Sequence, residues 1–360
     1  MEFREQASRL KEIKIEVTHR CNLQCIHCSS EGTSTDTVAM SFEKAMGILK
    51  EAAGMGVREV AFSGGEPLLW SGIEAAVAAG TALGMEVLVY TSGNVDGFGE
   101  MARRLFENGA RRVIFSIFAG DEESHDAVTQ GQGSYERTLA ALAEANRVGL
   151  VTEFHFVPMR TNYEELPKVV QVALDHSVRR VSVLRFVPHG RGKARSTLAL
   201  TREQNLKLQR MIREARKRID LRTGSPYNFL LVNDEPHCRA AKDRLVIAPN
   251  LFVYPCDGFK CIRAEQLVGT DDYSHLDRWS LAECWQNSLY LKAVRRYLTT
   301  PFAEPCASCS LLGKCASGCL AQKVIAHGEL VKVPDPMCLA GGRSVAGRPC
   351  GPHAPTPGHR

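Results

Sequence analysis

The chain has 360 residues, 44% apolar and 24% charged, with 45 Lys and Arg against 40 Asp and Glu for a formal charge of +5. That length and apolar share suit a soluble globular protein with room for two lobes, and the interspersed charges argue only weakly for an anionic partner and give no sign of nucleic-acid binding. No apolar run is long enough to span a membrane, and the start Met1-Glu2-Phe3-Arg4-Glu5-Gln6 lacks a signal-peptide core, so the 13 Cys point to metal ligation in a reducing, oxygen-protected cytoplasm rather than to disulfides.

The first predicted element is a strand over residues 13–17. Directly after it stands Cys21-Asn22-Leu23-Gln24-Cys25-Ile26-His27-Cys28, which puts three thiols within eight residues. Soft thiolates at this spacing suit an iron–sulfur cluster or zinc. A cluster normally takes four ligands, so three Cys leave one iron open to another group. Ser41 is expected to cap a helix that runs to Gly54, with Glu43 in its first turn. A second strand over 59–62 leads into Ser63-Gly64-Gly65-Glu66-Pro67. Glycines after a strand permit positive φ and let the backbone approach a ligand closely. Glu66 then offers a carboxylate to an ammonium group, unless the segment is an ordinary strand-to-helix turn.

Further strands are predicted over 86–91, 112–117, 151–157 and 180–186, rich in β-branched or aromatic residues. Helices are predicted over 72–83, 98–108, 134–148 and 163–176, three of them stopped by Gly84, Gly109 and Gly149. Six alternating units imply a parallel α/β sheet with right-handed crossovers. Periodicity does not separate a doubly wound sheet from a barrel. Thr91 and Asn94 end the third strand, where they either line a pocket or make a turn. Glu153 and His155 alternate on the fifth strand and so share a face, as substrate contacts or as satisfied buried polar groups. Arg185 ends the sixth strand and opens a segment with three more cations, Arg191, Lys193 and Arg195. Such a loop either binds carboxylates through bidentate Arg or is simply solvated.

Thr201-Arg202-Glu203-Gln204 reads as a capping box opening a helix toward residue 218. After about residue 222 the alternation stops and turn residues and Cys increase. Cys306-x2-Cys309-x5-Cys315-x3-Cys319 is followed by Cys338, and upstream stand Cys238, Cys256 and Cys261. A zinc ribbon is one reading of four Cys at this spacing. Cys284 lies in a helical stretch and is expected to be a core thiol, while Cys350 is incidental. Residues 341–360 are rich in Gly, Pro and Arg and are expected to be a disordered tail. The expected organisation is a core domain over 1–222, a Cys-rich domain over 223–340 and the tail.

The CxxxCxxC run followed by Gly-Gly-Glu-Pro resembles the radical S-adenosylmethionine (radical SAM) superfamily. The spacing CX2CX5CX3C with a later Cys resembles the SPASM extension carried by peptide- and protein-modifying members. The resemblance covers roughly residues 11 to 340. It implies a partial (βα)6 barrel followed by the smaller Cys-rich domain, with the cluster in the loop after the first strand. It implies that Cys21, Cys25 and Cys28 hold a [4Fe–4S] cluster whose open iron is chelated by the amine and carboxylate of SAM. Gly64, Gly65 and Glu66 would hold the methionine amino group, His27 would lie by the adenine, and Ser116 would meet the carboxylate or ribose. A family Arg falls near Thr129, so Arg185 is the expected replacement. By position, Cys238, Cys256 and Cys319 would ligate one auxiliary cluster, with Cys261 as candidate fourth ligand. Cys306, Cys309, Cys315 and Cys338 would ligate the other. A family Gly is Leu251 here, and Asn250 is expected to supply the turn.

The implied activity is reductive cleavage of SAM to a 5′-deoxyadenosyl radical, then oxidative modification of a ribosomally made peptide as a thioether or other crosslink. A flavodoxin- or ferredoxin-type protein would donate the electron. Only about ten residues precede the first strand, so a separate leader-recognition protein or a direct groove is expected. The alternatives are a tetrapyrrole-modifying enzyme, with the 191–195 loop on the propionates, and a non-catalytic iron–sulfur electron-transfer protein.

Overall fold

The computed structural model describes residues 9–233, 236–270 and 272–340. Cys350 and the tail expected over 341–360 lie outside the described residues. Nine strands make one sheet: β1 (Glu12–Thr18), β2 (Glu59–Gly64), β3 (Glu86–Thr91), β4 (Arg112–Ser116), β5 (Val151–Phe156), β6 (Arg180–Val183), β7 (Asp220–Thr223), β8 (Arg244–Ile247) and β9 (Val253–Tyr254). Their spatial order is β7-β6-β5-β4-β3-β2-β1-β8-β9. Every pairing is parallel except β8 with β9. From β1 to β7 each crossover advances by one strand, whereas a doubly wound sheet reverses at a switch point. The fold is therefore a partial barrel. β8 pairs with β1, so the sheet runs across the boundary expected at residue 222.

The two faces of this sheet differ in chemistry. Along β1, Ile13, Ile15 and Val17 are fully buried in the main apolar core, outside the barrel and under the helices. Glu12, Lys14 and Glu16 alternate with them and line the interior, as the two-residue period of a strand requires. At the N-terminal end of the strands the interior is closed by ion pairs. Arg112 meets Glu59 at 2.8 Å, Glu86 at 2.7 Å and Glu153 at 3.4 Å. Arg180 joins Glu153 to Asp220, and Arg239 and Arg244 hold Glu12. Glu153 is thus a satisfied buried carboxylate. Above this layer Ala61, Leu88 and Ile114 form a small apolar floor under Tyr90.

Local signals explain most element ends. Ser41 Oγ accepts from Lys44 N at 3.2 Å and starts the helix Phe42–Gly54. Thr201 and Gln204 close a full capping box on the helix Arg202–Ala215. Four expectations are corrected. A helix over Glu122–Thr129 appears where the polar run Asp121-Glu122-Glu123-Ser124-His125 has little apolar period; the Asp121 carboxylate caps it through Ser124 N at 2.9 Å. The segment over 163–176 starts as a 3₁₀ turn, Tyr163–Glu165, before the helix Leu166–Asp175. Pro167 sits in the first turn of that helix, where its missing N–H costs nothing. β6 ends at Val183 rather than 186, because the chain turns away there to carry Arg185 toward residue 335. Leu251 itself adopts φ +68° before β9, so the turn assigned to Asn250 falls one residue later.

Candidate functional site

The loop after β1 lies at the C-terminal end of the strands, where parallel folds place their sites. Cys21, Cys25 and Cys28 all line one interior cavity of about 860 Å³. The loop is pinned from three sides. Cys21 N donates to Thr33 O at 3.0 Å, Gln24 N to Thr129 O at 3.1 Å, and Ile26 N to Val128 O at 2.9 Å. Arg191 reaches across the fold, with Nε on Cys25 O at 3.0 Å and a second nitrogen on Gly32 O at 2.9 Å. Burial pushes the Cys21 thiol up to about 12 and Cys25 higher still, so these buried thiolates need a positive partner. Three soft thiols on one loop at the cavity wall are donors that an iron–sulfur cluster accepts.

The Gly-Gly-Glu-Pro segment packs against this loop. A Cβ on Gly65 would stand 2.4 Å from Arg20 O and 2.5 Å from His19 O, and one on Gly64 would stand 2.3 Å from Thr18 O. Gly65 N donates to Thr18 O at 2.6 Å and Glu66 N to Arg20 O at 2.8 Å. The close approach expected of these glycines is therefore to the cluster loop's own backbone. Glu66 is 1% exposed, and both its oxygens are engaged. Oε1 accepts from Thr91 Oγ1 at 2.7 Å and Leu68 N at 3.3 Å; Oε2 accepts from Ser92 N at 2.9 Å and Ser92 Oγ at 2.8 Å. Four donors fill the acceptor positions of a carboxylate. Burial raises its pKa and these donors oppose the rise. Glu66 lines the cavity and, through these bonds, ties β2 to the end of β3. Asn94 is held in the turn by Thr138 and Arg137.

His27 and Ser116 both line the cavity. The His27 ring packs edge-on to Phe118 with centroids 4.6 Å apart. Its Nδ1 is buried without a partner, and burial, then Arg191, lowers its pKa to about 4. A neutral, orphaned ring nitrogen in an aromatic wall fits a heterocyclic base. Ser116 ends β4 opposite His155, which packs against Tyr90 at 4.8 Å. Arg185, expected to replace the family Arg, also lines the cavity. Its guanidinium meets both oxygens of Asp335 at 2.8 and 3.0 Å, donates to Pro226 O, and lies 4.4 Å from the Phe229 ring centre. It lines the cavity already neutralised.

The remaining thiols fall into two sets. Cys238, Cys256 and Cys319 line the other side of the same cavity, and burial, then the neighbouring Cys238 and Cys319, drives the Cys256 thiol far up. Cys306, Cys309, Cys315 and Cys338 surround a second, apolar pocket with Leu312 and Phe229. Cys261 belongs to neither. It is exposed, at φ +71°, and its Sγ lies 3.9 Å from Ser29 O. Cys284 is fully buried in the helix Leu281–Asn287.

Three residues that the sequence did not single out for these roles organise the site. Asp335 is 3% exposed; besides Arg185 it accepts from Cys319 N and Met337 N, both at 2.9 Å, so one carboxylate links both thiol sets. Lys260 reaches Glu16 at 2.5 Å and Ser30 Oγ at 3.0 Å, and Lys14 meets Asp257 at 2.6 Å, joining the segment after Cys256 to β1. The only local signal was the Asp335-Pro336-Met337-Cys338 run.

Comparison with known proteins agrees with this geometry. Residues 15–173 match the Radical SAM superfamily. The PqqA peptide cyclase of Granulibacter bethesdensis is 28% identical over 334 residues, 90% of this chain and 85% of that protein. That of Xanthomonas campestris pv. campestris is 29% identical over 359 residues, 95% and 92% of the two chains. Streptococcus suis SuiB bound to S-adenosylmethionine superposes with a TM-score of 0.72 at 18% identity, covering 92% of this chain and 78% of SuiB. The anSMEcpe structure with bound AdoMet superposes with a TM-score of 0.70 at 16% identity, covering 90% and 93%. No helix among the described residues is long and apolar enough to cross a membrane. The thiol triad at the mouth of a partial barrel falls within the matched segment, so this chain carries a radical SAM domain over residues 15–173 and is an enzyme of that type.

Proposed function

We propose that this enzyme matures a ribosomally made peptide by oxidative modification, most simply as a thioether or other crosslink. The observation that carries the reading is that relatives named PqqA peptide cyclase align with nine-tenths or more of the chain. SuiB has also been solved with a precursor peptide, SuiA. Bound at the triad, SAM and a [4Fe–4S] cluster supply a carbon radical able to take a hydrogen atom from an unactivated position.

The chain's own residues do the rest. Cys21, Cys25 and Cys28 would hold the cluster. Arg191 and the Gly64–Gly65 contact fix the loop that carries them. His27 Nδ1 and Ser116 face the nucleoside part of the cavity. The ion-pair layer beneath Tyr90 shuts the far end of the barrel, which keeps water from the radical. Cys238, Cys256 and Cys319 would hold one auxiliary cluster and Cys306, Cys309, Cys315 and Cys338 another, to accept the substrate electron. A flavodoxin- or ferredoxin-type donor and a separate leader-recognition protein are the expected partners, in a reducing cytoplasm. The tetrapyrrole reading loses its motive, since Arg191, expected on propionates, is engaged with the cluster loop.

The test is an anaerobic intact-mass assay with SAM, a reductant and the short peptide encoded beside the gene. Loss of two hydrogens per event, absent in Cys25→Ala, supports the reading. An unchanged peptide alongside 5′-deoxyadenosine release would overturn it.

A further inference from the structure

The helix Leu320–His327 follows directly on Cys319 and turns a lysine into the protein. Lys323 is 1% exposed, and among the described residues it makes no ion pair with a carboxylate. Asp335, the buried carboxylate of this region, is engaged by Arg185, Cys319 N and Met337 N. A buried cation without a counter-charge is unstable, so its partner has to be sought among the groups it does touch. Nζ bonds Tyr297 Oη at 3.1 Å and Ser317 Oγ at 2.5 Å. Tyr297 Oη gives its own proton to Val331 O at 3.0 Å, so it can only accept from Lys323. A second ammonium stands close by. Lys332 Nζ lies 3.9 Å from the Tyr297 ring centre and 4.5 Å from that of Phe302, and Lys323 Nζ lies 5.7 and 5.6 Å from the same two. Lys332 donates only to the carbonyls of Tyr297 and Thr300. Two cations thus share two rings, with no carboxylate paired to either among the described residues.

The negative charge they face comes from sulfur. Ser317 is buried and lines the second pocket with Cys306, Cys309, Cys315 and Cys338. Its Oγ lies 3.2 Å from Cys306 Sγ and 3.3 Å from Val333 O. Lys323 donates to this oxygen, so the single hydroxyl proton is left for one of those two acceptors. A metal-bound thiolate only accepts and carries charge, and a charged acceptor takes the proton ahead of a neutral carbonyl. The groups then form one line, from Nζ to Oγ to Sγ, which ends on a thiol of the second set. Hydrogen bonds to ligand sulfur and nearby charge set the potential of an iron–sulfur cluster. A donor and a cation both favour the reduced form, which is the more negative.

We propose that Lys323, acting through Ser317, raises the reduction potential of the cluster held by Cys306, Cys309, Cys315 and Cys338. This rests on the auxiliary-cluster assignment above. Lys323 is a positioning residue: it touches neither substrate nor the ligating sulfur and acts by aiming the Ser317 hydroxyl. Its service to the reaction is to draw one electron. When a substrate carbon radical and a thiol S–H join as C–S, one proton and one electron leave; the proton passes to water and the electron to this cluster, from which the oxidised form of the flavodoxin- or ferredoxin-type carrier removes it.

The experiment is a redox titration of the reconstituted full-length enzyme, followed by electron paramagnetic resonance and run without peptide. The signal of this set is the one lost in Cys309→Ala. Lys323→Met keeps the length of the side chain and removes the charge, Lys323→Arg keeps the charge, and Ser317→Ala removes the link. Lys323→Met should lower the reduction equilibrium constant about tenfold, the scale of one hydrogen bond to a charged group, which is a fall of about 59 mV for a one-electron couple. Lys323→Arg should recover most of that fall. Ser317→Ala should shift the potential in the same direction, and the double variant Ser317→Ala with Lys323→Met should go scarcely further. The potential of the Cys238–Cys256–Cys319 set should stay where it is in all of them. Iron content is measured alongside; if Lys323→Met does not load, the smaller change Ser317→Ala decides. An unmoved potential in the loaded variants overturns the proposal, and so does an equal shift at both auxiliary sets, which would mark a general loosening of the fold. Zinc, or no metal, at this set in the wild-type enzyme overturns the cluster assignment and the proposal with it. That result is read from metal content, and the peptide reading keeps its own test in the mass assay.

Discussion

Removing the Asp335 charge should destabilise the molecule more than any surface change. Asp335→Asn keeps shape but leaves the Arg185 guanidinium without its counter-ion. The side chains are 1% and 9% exposed, so water screens neither. Breaking one side of a buried pair costs about 3–5 kcal/mol, because a desolvated charge is left alone. For a chain of this size that corresponds to a fall of about 6–10 °C in Tm, taking each kcal/mol as about 2 °C. The assay is anaerobic thermal unfolding of the reconstituted protein at fixed scan rate, with iron content measured alongside. Arg185→Met removes the stranded cation and keeps a soft contact on Phe229. The double variant Arg185→Met with Asp335→Asn should therefore lose less than the sum of the two singles. A fall below about 1 kcal/mol in the single variant, or strict additivity in the double, would refute the argument that this pair locks β6 to the thiol-rich segments.

Other outcomes follow from the same geometry. Arg191→Lys should lose iron from the triad and slow SAM cleavage nearly as much as Arg191→Ala, since one ammonium cannot reproduce the two-carbonyl fork; retention of full iron by Arg191→Ala would contradict this. Gly65→Ala should abolish stable cluster loading, as its Cβ would meet two carbonyl oxygens within 2.5 Å; normal cluster absorbance would count against it. His125 accepts from Phe118 N through Nδ1 at 3.3 Å, and burial lowers its pKa to about 4 against 6.5 unfolded. Its folded pKa is depressed, so its stability is complete above pH 6.5 and declines as pH falls from 6.5 toward 4. His125→Asn keeps an acceptor without that titration. The gap between variant and wild-type stability should therefore shift by about 3 kcal/mol across this window in denaturant titrations, and a constant gap would show that His125 is not the titrating group.

How far the fold was legible in the sequence depends on the range of the interactions involved. Strand and helix identity rests on local period and caps, and the six alternating units over 13–186 carried both. The missed helix Glu122–Thr129 buries His125, Val128 and Thr129, of which only Val128 is apolar, too little for a periodic signal. The barrel itself was not a local property: it follows from each crossover advancing by one strand, which the resemblance implied and the pairing displays. The polar lining of the barrel was half visible, since Glu12, Lys14 and Glu16 alternate with Ile13, Ile15 and Val17, yet alternation does not say which face meets helices.

The sequence by itself placed Cys21, Cys25 and Cys28 together, because thiols three and four residues apart on one loop stay close wherever that loop goes. It also determined which Cys stand close in the chain, and the glycines that let two loops touch. Tertiary structure alone decided what the charged groups do. Arg185 meets Asp335 across 150 residues, Arg191 meets Cys25 across 166, and Lys260 meets Glu16 across 244. It also set Cys261 apart from the thiols it follows in sequence and filled the Glu66 carboxylate from β3. The physical reason is that ligand spacing is a covalent constraint, whereas the partner of a long charged side chain is chosen by the packing of elements far apart in the chain.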